Sequence, residues 1–170
     1  MVEPASAHIR PVTLDDAGAV CAILNAAIID GTHSLLDTPF SVDDERRYIA
    51  DFPSRGAFMV AELPQAGVVG FQSLEPYASY GMHAFDHVLT MGTYVHESYR
   101  RRGIGRLLAA ACFDAARRAG CTRILTEIRA DNDASLRFYL RLGFEIVGVA
   151  HDLARLGGRF VDVVIVEKDI

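Results

Sequence analysis

The stretch Tyr94-Val95-His96-Glu97-Ser98-Tyr99-Arg100-Arg101-Arg102-Gly103-Ile104-Gly105 decides the fold. The residues leading into it, His87 to Val95, read as a strand. An amphipathic helix follows at once: Ile104, Leu107, Leu108, Ala111, Cys112 and Ala115 recur at helical spacing, and Gly120 closes it. Glycines at the junction let a ligand approach the backbone. The amides left unpaired at the helix start point at that ligand. Arg100, Arg101 and Arg102 add positive charge, so the junction suits a phosphate or pyrophosphate. By itself such a basic turn is as readily a solvated corner. A dinucleotide fingerprint would need a third glycine where Leu108 stands. A P-loop would need Gly-Lys-Ser/Thr, which the chain lacks.

Working outward, His8 to Val12 reads as a strand, and Thr13 with Asp16 forms a capping box for a helix. That helix carries Val20, Ile23, Leu24, Ala27 and Ile28 on one face and stops near Gly31. Thr32 to Phe40 is a loop. A second helix opens at Ser41, where Asp43, Asp44 and Glu45 complement the positive helix end rather than hold a metal. Phe58–Leu63 and Val68–Leu74 are strands around a turn, followed by a loop over 76–86 with Tyr77, Tyr80, His83 and Phe85. Beyond the central helix come a strand (Arg123–Ile128), a helix (Asp131–Leu142) closed by Gly143, and strands Phe144–Val149 and Phe160–Val166 around Gly157-Gly158. This order predicts an α/β (α+β) architecture: one domain over 1–170, with a mixed twisted sheet covered by helices on both faces. A length of 170 residues fits a single domain.

A second motif is Asn132-x-x-Ser135-x-x-Phe138-Tyr139-x-x-x-Gly143-Phe144. Residue by residue it has a plain structural explanation: a helix cap, a core aromatic, a half-buried tyrosine and a C-terminal glycine. Following Arg100-x-x-Gly103-x-Gly105 at this distance, however, it resembles the second cofactor motif of the Gcn5-related N-acetyltransferase (GNAT) superfamily. The first motif resembles that superfamily's acetyl-CoA signature, with Tyr94, Val95 and Tyr99 matching the strand before it. The resemblance runs from about His8 to the C-terminus. Within the superfamily the chain is most similar to phosphinothricin and methionine sulfoximine acetyltransferases, on the loop after the first helix, the Phe71–Tyr80 segment and the Gly157–Asp162 ending.

The resemblance implies acetyl-CoA as co-substrate, with no metal. Its pyrophosphate would be held by the amides around Arg101, Arg102, Gly103, Ile104 and Gly105, with Arg100 beside them. The strand would splay near Val95, whose backbone would pair with the pantetheine. Asn132 and Ser135 would contact the cofactor, and Tyr139 would protonate the departing thiolate. A tyrosine hydroxyl and a thiol, with reference pKa values of about 10 and about 8.5, can exchange a proton in that way. The implied reaction is direct attack of a small amine on the thioester, the amine belonging to an amino acid or an analogue such as phosphinothricin or methionine sulfoximine. Some members carry an acidic base where this chain has Thr90. Glu75, Asp86, His87, Glu127 or a water chain remain the candidates for that role. Rival readings are a protein or peptide N-terminal acetyltransferase and a non-catalytic acetyl-CoA sensor; an intact Tyr139 speaks against the sensor.

The bulk composition is consistent with these expectations. A hydrophobic fraction of 51% provides a core, and a net charge of −5 gives no pull toward nucleic acid or an anionic membrane. Cys21, Cys112 and Cys121 are scattered and form no metal-ligand spacing, as for reduced thiols in a cytoplasmic protein. Met1–Val12 lacks the form of a secretory leader, and no apolar run of about 18 residues is present. The resemblance implies a homodimer, with Val161–Val166 as an edge or exchange strand.

Overall fold

In the computed structural model, which describes residues 7–78 and 81–170, the chain forms a seven-stranded mixed sheet. The elements are β1 (His8–Pro11), α1 (Ala17–Asp30), α2 (Val42–Ala50), β2 (Ala57–Leu63), β3 (Gly67–Pro76), β4 (Val88–Val95) and α3 (Ile104–Arg118). They continue with β5 (Arg123–Arg129), α4 (Asp133–Arg141), β6 (Glu145–Leu156) and β7 (Arg159–Asp169). In space the strands run β1-β2-β3-β4-β5-β7-β6. Tyr80, one of the aromatic residues of the loop after β3, lies outside the described residues.

Capping chemistry sets the helix starts. Thr13 and Asp16 form the capping box, which closes a single 3-10 turn (Leu14–Asp16) before α1 begins. Ser41 and Asp44 form another: the Ser41 Oγ accepts the Asp44 amide at 3.1 Å and the Asp44 carboxylate accepts the Ser41 amide at 3.0 Å. Alternation along the strands sends side chains to two cores. Phe58, Val60 and Phe71 pack with Val20, Leu24 and Ile49 of α1 and α2. Leu74, Leu89 and Met91 pack on the other face with Cys112, Phe113 and Phe144. Helices therefore cover both faces, as the element order predicts.

One irregularity positions the site. β4 and β5 are the parallel pair, yet their ladder holds only Val88↔Arg123 and Leu89↔Ile124. Past that point β5 stays paired with β7 through Arg129, and β4 stays paired with β3 through Val95. The two strands diverge like a V whose apex is at Leu89. The opening begins well upstream of Val95, where the resemblance places it.

Two further differences concern the C-terminal hairpin. β6 runs past Val149 to Leu156, with a register shift between Ala150 and Ala154. Asp162 holds this excursion, its carboxylate meeting His151 Nδ1 at 2.9 Å and accepting the Asp152 amide at 2.9 Å. The polar bulge residues interrupt the strand pattern, which is why the sequence reads as ending early. Secondly, β7 lies between β5 and β6, so Val161–Val166 is internal rather than the expected edge, and the edge strand is β6. Ile146, Val147 and Val149 of that edge are exposed.

Candidate active site

Between the diverging strands lies a cavity of about 380 Å³. Its walls come from β4 (Thr90 to Tyr94), β5 (Leu125 to Arg129), the loop after α1 (His33 to Leu36) and α4 (Asn132, Ser135, Tyr139). The Met91 carbonyl faces the gap: it accepts Thr126 Oγ1 at 2.9 Å and the Tyr139 hydroxyl at 3.1 Å. Strand groups two residues apart point the same way, so the backbone of Thr93 and Val95 also faces the gap, where β5 is no longer present to pair with it. A strand edge of this kind is free to pair with an extended amide-bearing chain.

At the wide end of the V stands the start of α3. Gly103 adopts φ 81° and Arg101 φ 63°, a left-handed turn. The Arg106 and Leu107 amides donate to the Gly103 carbonyl at 3.0 and 3.1 Å, so the amides before them precede the helical ladder. A Cβ on Gly103 would meet nothing within 4 Å; glycine here serves the backbone conformation and leaves the approach open. Gly105 differs, because a Cβ there would sit 3.0 Å from the Phe138 ring. Its lack of a side chain lets α3 pack on α4. Ile104 is buried against Leu108, Ala61 and Val69, so only its amide is available to an anion. Arg100 folds back: its Nε donates to the Val95 carbonyl at 3.0 Å and its Nη1 lies 3.2 Å from His33 Nε2. The Arg102 guanidinium lies over the Tyr99 ring at 5.3 Å.

Asn132 and Tyr139 face the same cavity, as their two-turn spacing requires. Asn132 caps α4, its Oδ1 accepting the Ser135 amide at 3.0 Å, while its Nδ2 donates to the His33 carbonyl at 3.4 Å. The Tyr139 ring packs edge-on against Phe144. Burial, with Tyr94 nearby, pushes the Tyr139 hydroxyl above its ordinary range, and hydrogen bonding with Thr93 opposes this. Tyr94 stacks on Phe71 and its hydroxyl lies 3.4 Å from Ser34 Oγ, so its side chain is a wall of the cavity.

Thr93 is a site residue that the sequence analysis passed over. It lines the cavity, and its hydroxyl donates to Gln72 Oε1 at 3.0 Å. Gln72 is fully buried and its Nε2 has no partner among the described residues. The available signal was two polar residues, Gln72 and Thr93, at facing positions of neighbouring strands.

The four base candidates separate clearly. Glu127 lines the cavity. Glu75 is the cross-strand partner of Thr90, which lines it too, and Ser73 Oγ donates to Glu75 at 3.2 Å. Asp86 is held by Arg55 at 2.7 Å, which keeps its carboxyl below the usual range. His87 stands at the start of β4, outside the cavity wall, its carbonyl taking the Thr122 and Arg123 amides. Thr90 Oγ1 donates to Thr126 Oγ1 at 3.3 Å.

Glu45 departs from the expectation of a solvated acid at a helix end. Asp44 does that work, whereas Glu45 is only 4% exposed, and burial together with the nearby Glu75 charge pushes its carboxyl up to about 7. Cys21, Cys112 and Cys121 are buried free thiols, and burial pushes Cys112 up to about 12.

Known proteins resemble this chain along most of its length. The Acetyltransferase (GNAT) family model matches residues 26–144. The chain is 26% identical over 169 residues to a phosphinothricin N-acetyltransferase of Streptomyces coelicolor, covering 98% of each chain. It is 28% identical over 170 residues to an L-methionine sulfoximine/L-methionine sulfone acetyltransferase of Pseudomonas aeruginosa, covering 97% of this chain and 95% of that one. Among solved structures, a GNAT superfamily phosphinothricin acetyltransferase from Sinorhizobium meliloti in complex with acetyl-CoA superposes with TM-score 0.88 at 18% identity, covering 97% of this chain and 89% of that one. At that identity the likeness concerns the fold.

Proposed function

The chain belongs to the acetyltransferase (GNAT) family, and from that premise we propose how its residues divide the work of acetylating a small amine. It is an acetyl-CoA-dependent N-acetyltransferase. Acetyl-CoA supplies a thioester-bound acetyl group; the amine gains that group as an amide, loses a proton, and free thiol departs. The observation that carries the assignment of roles is the V between β4 and β5, with the Gly103 turn at its wide end and Tyr139 on its wall.

The amides of Arg101 to Gly105 cradle the pyrophosphate, with Arg101 and Arg102 adding positive charge. Arg100 acts indirectly: bound to the Val95 carbonyl, it ties the end of β4 to the turn. Backbone groups of Thr93 and Val95 pair with the pantetheine and orient the reacting carbonyl. Asn132 and Ser135 complete the wall. Tyr139, whose hydroxyl already lies in the gap, delivers the proton to the leaving thiolate. Glu127, the base candidate in the cavity wall, removes the proton of the attacking amine. Thr90 serves as a polar wall residue.

The acceptor is the amine of a small molecule. The names of the two relatives, acting on phosphinothricin and methionine sulfoximine, support a small acceptor over a protein. The exposed apolar row on β6 supports a homodimer formed along that edge, and free buried thiols fit a cytoplasmic location. Among the described residues no helix is long and apolar enough to cross a membrane. The deciding assay is thiol release from acetyl-CoA against amino acids, polyamines and peptides. Turnover confined to peptides would overturn the small-acceptor reading.

A further inference from the structure

The cavity between β4 and β5 is lined from both faces of the sheet, and strand alternation assigns each wall residue to a face. Met91 of β4 and Ile124 and Ile128 of β5 pack in the core with Cys112, Phe113 and Tyr139 of α3 and α4. Thr90 and Tyr94 of β4, and Leu125, Glu127 and Arg129 of β5, therefore project to the opposite face, where α1 lies. Tyr77 joins them. Its amide donates to the Val88 carbonyl at 3.1 Å, so the ladder continues past β3 and Tyr77 shares a face with Phe71 of the α1 core. The groups assigned above to the cofactor, Asn132, Ser135 and Tyr139, come from α4 on the first face. The α1 side is thus left for the acceptor.

Both basic side chains on that side are already matched. Arg129 pairs with the two oxygens of Asp131 at 2.8 and 2.7 Å and donates to the Gly31 and Ser34 carbonyls. His33 Nε2 stands 3.2 Å from Arg100 Nη1 and 3.6 Å from Asp30 Oδ1. A neutral imidazole there accepts from Arg100, and a protonated one is paired with Asp30. Glu127 is the remaining charged residue in the lining among the described residues, and it is exposed. The rest of this side is largely apolar: Leu35 and Leu36 from the loop after α1, Leu125, and the rings of Tyr77 and Tyr94. Leu36 and Tyr77 are 43% and 47% exposed, and Tyr77 meets the Phe85 ring at 5.8 Å. Exposed apolar side chains gathered at a cavity make a surface that a ligand covers.

We propose that the acceptor is a primary amine on an apolar, ring-bearing body with no carboxylate, its nitrogen at Glu127 and its ring over Leu36 and Tyr77. This rests on the small-amine reading above and assigns its substrate class. An α-amino acid carries its carboxylate on the carbon that bears the nitrogen. Binding it here would set that carboxylate against Glu127 with no unmatched cation in the wall, and an unpaired charge leaving water is costly. A ring, by contrast, takes the apolar surface of Leu36 and Tyr77 out of water and gives Tyr77 an aromatic partner. The cavity volume of about 380 Å³ is on the scale of a small molecule.

Matched acceptors test this. Phenethylamine, phenylalanine and phenylalaninamide share the ring and differ at one substituent: hydrogen, carboxylate and neutral amide. Ethylamine lacks the ring. With the wild-type protein and acetyl-CoA, kcat/KM for phenethylamine should exceed that for ethylamine, and that for phenylalanine, by at least about tenfold each. Phenylalaninamide should rank above phenylalanine. Tyr77→Ala should lower the ratio of phenethylamine to ethylamine by about threefold or more, and Tyr77→Phe should retain it. Preference for phenylalanine, or equal rates for phenethylamine and ethylamine, would overturn the proposal while leaving the enzyme reading intact. So would phenylalaninamide as poor as phenylalanine, since bulk and not charge would then set the ranking. An unchanged ratio in folded Tyr77→Ala would overturn the placement of the ring. Should that variant fail to fold, the wild-type ranking alone decides. Absence of thiol release with every small amine, despite measurable acetyl-CoA binding, would overturn the small-amine reading itself.

Discussion

The Tyr139 hydroxyl donates to the Met91 carbonyl at 3.1 Å, across the gap where β4 has lost its partner strand. This contact satisfies a buried polar group and, in the proposed mechanism, holds a proton where the thiolate would be quenched. Tyr139→Phe keeps the ring packing on Phe144 and removes only the hydroxyl. Turnover should fall by about 10²–10⁴ with acetyl-CoA affinity little changed. Stability should fall by about 1 kcal/mol. Steady-state kinetics with calorimetry separate the two effects, and a stable variant with unchanged chemistry refutes the acid role.

Thr93 is placed to tune the acidity proposed for Tyr139. Burial raises the phenol, and hydrogen bonding with Thr93 acts in the opposite direction. A hydroxyl that turns toward the phenolate stabilises the charged form. Thr93→Val keeps the shape and removes the donor, so turnover should fall on the order of tenfold, the equivalent of one pKa unit. Ultraviolet titration against Tyr139→Phe should place the Tyr139 ionisation at higher pH in this variant. Thr93→Ser should recover both. An unaltered tyrosine titration in Thr93→Val would show that the hydroxyl serves only Gln72.

Gly103 and Gly105, paired in one motif, should fail in different ways. Gly103→Ala and Gly103→Val put a side chain into open space at a left-handed backbone position. Calorimetry should show a steep loss of CoA affinity, the valine worse than the alanine. Gly105→Val instead drives into Phe138 and should cost about 1–3 kcal/mol of stability, seen as a lower melting temperature. Normal CoA affinity in a folded Gly103→Val would mean that the anion site lies elsewhere.

What was legible in the sequence was whatever a few neighbouring residues decide. The Gly103 turn, the Asn132 cap, and the shared face of Asn132 and Tyr139 follow from local conformation and helical period. The position of the V does not, because it depends on β7 inserting between β5 and β6 and keeping β5 while β4 departs. Nor was the bulge at His151–Leu153, which needs Asp162 from the neighbouring strand. Glu45 was misread although a signal existed: it lies four residues before buried Ile49, on the inward face of α2. Three acids in a row drew attention to the helix end and away from that spacing.

The cysteines provide a test of direct attack. Cys112 sits in the core with its thiol pushed up to about 12, so the thiolate is scarce at neutral pH. Cys112→Ala should leave the rate near wild type after allowing for a packing loss on the order of 1 kcal/mol. Loss of turnover on the order of 10² in a folded single Cys→Ala variant at Cys21, Cys112 or Cys121 would instead indicate a covalent intermediate.

Glu45 makes stability depend on pH in a defined direction. Its carboxyl titrates near 4.5 in an open chain and is pushed up to about 7 in the fold. Between those values the folded state keeps a proton that the unfolded state has released. A group raised in this way contributes stability that is fully present below its unfolded value and lost as pH rises through the folded value. Stability should therefore decline from about pH 5 to about pH 7 and level off above, by at most about 1.4 kcal/mol per pH unit. Glu45→Gln removes the titrating group, so the decline should flatten, and the variant should unfold at higher denaturant than wild type at pH 8. Urea melts of both proteins from pH 5 to pH 8 measure this. Parallel pH profiles for wild type and Glu45→Gln would show that the Glu45 carboxylate meets no penalty in the fold.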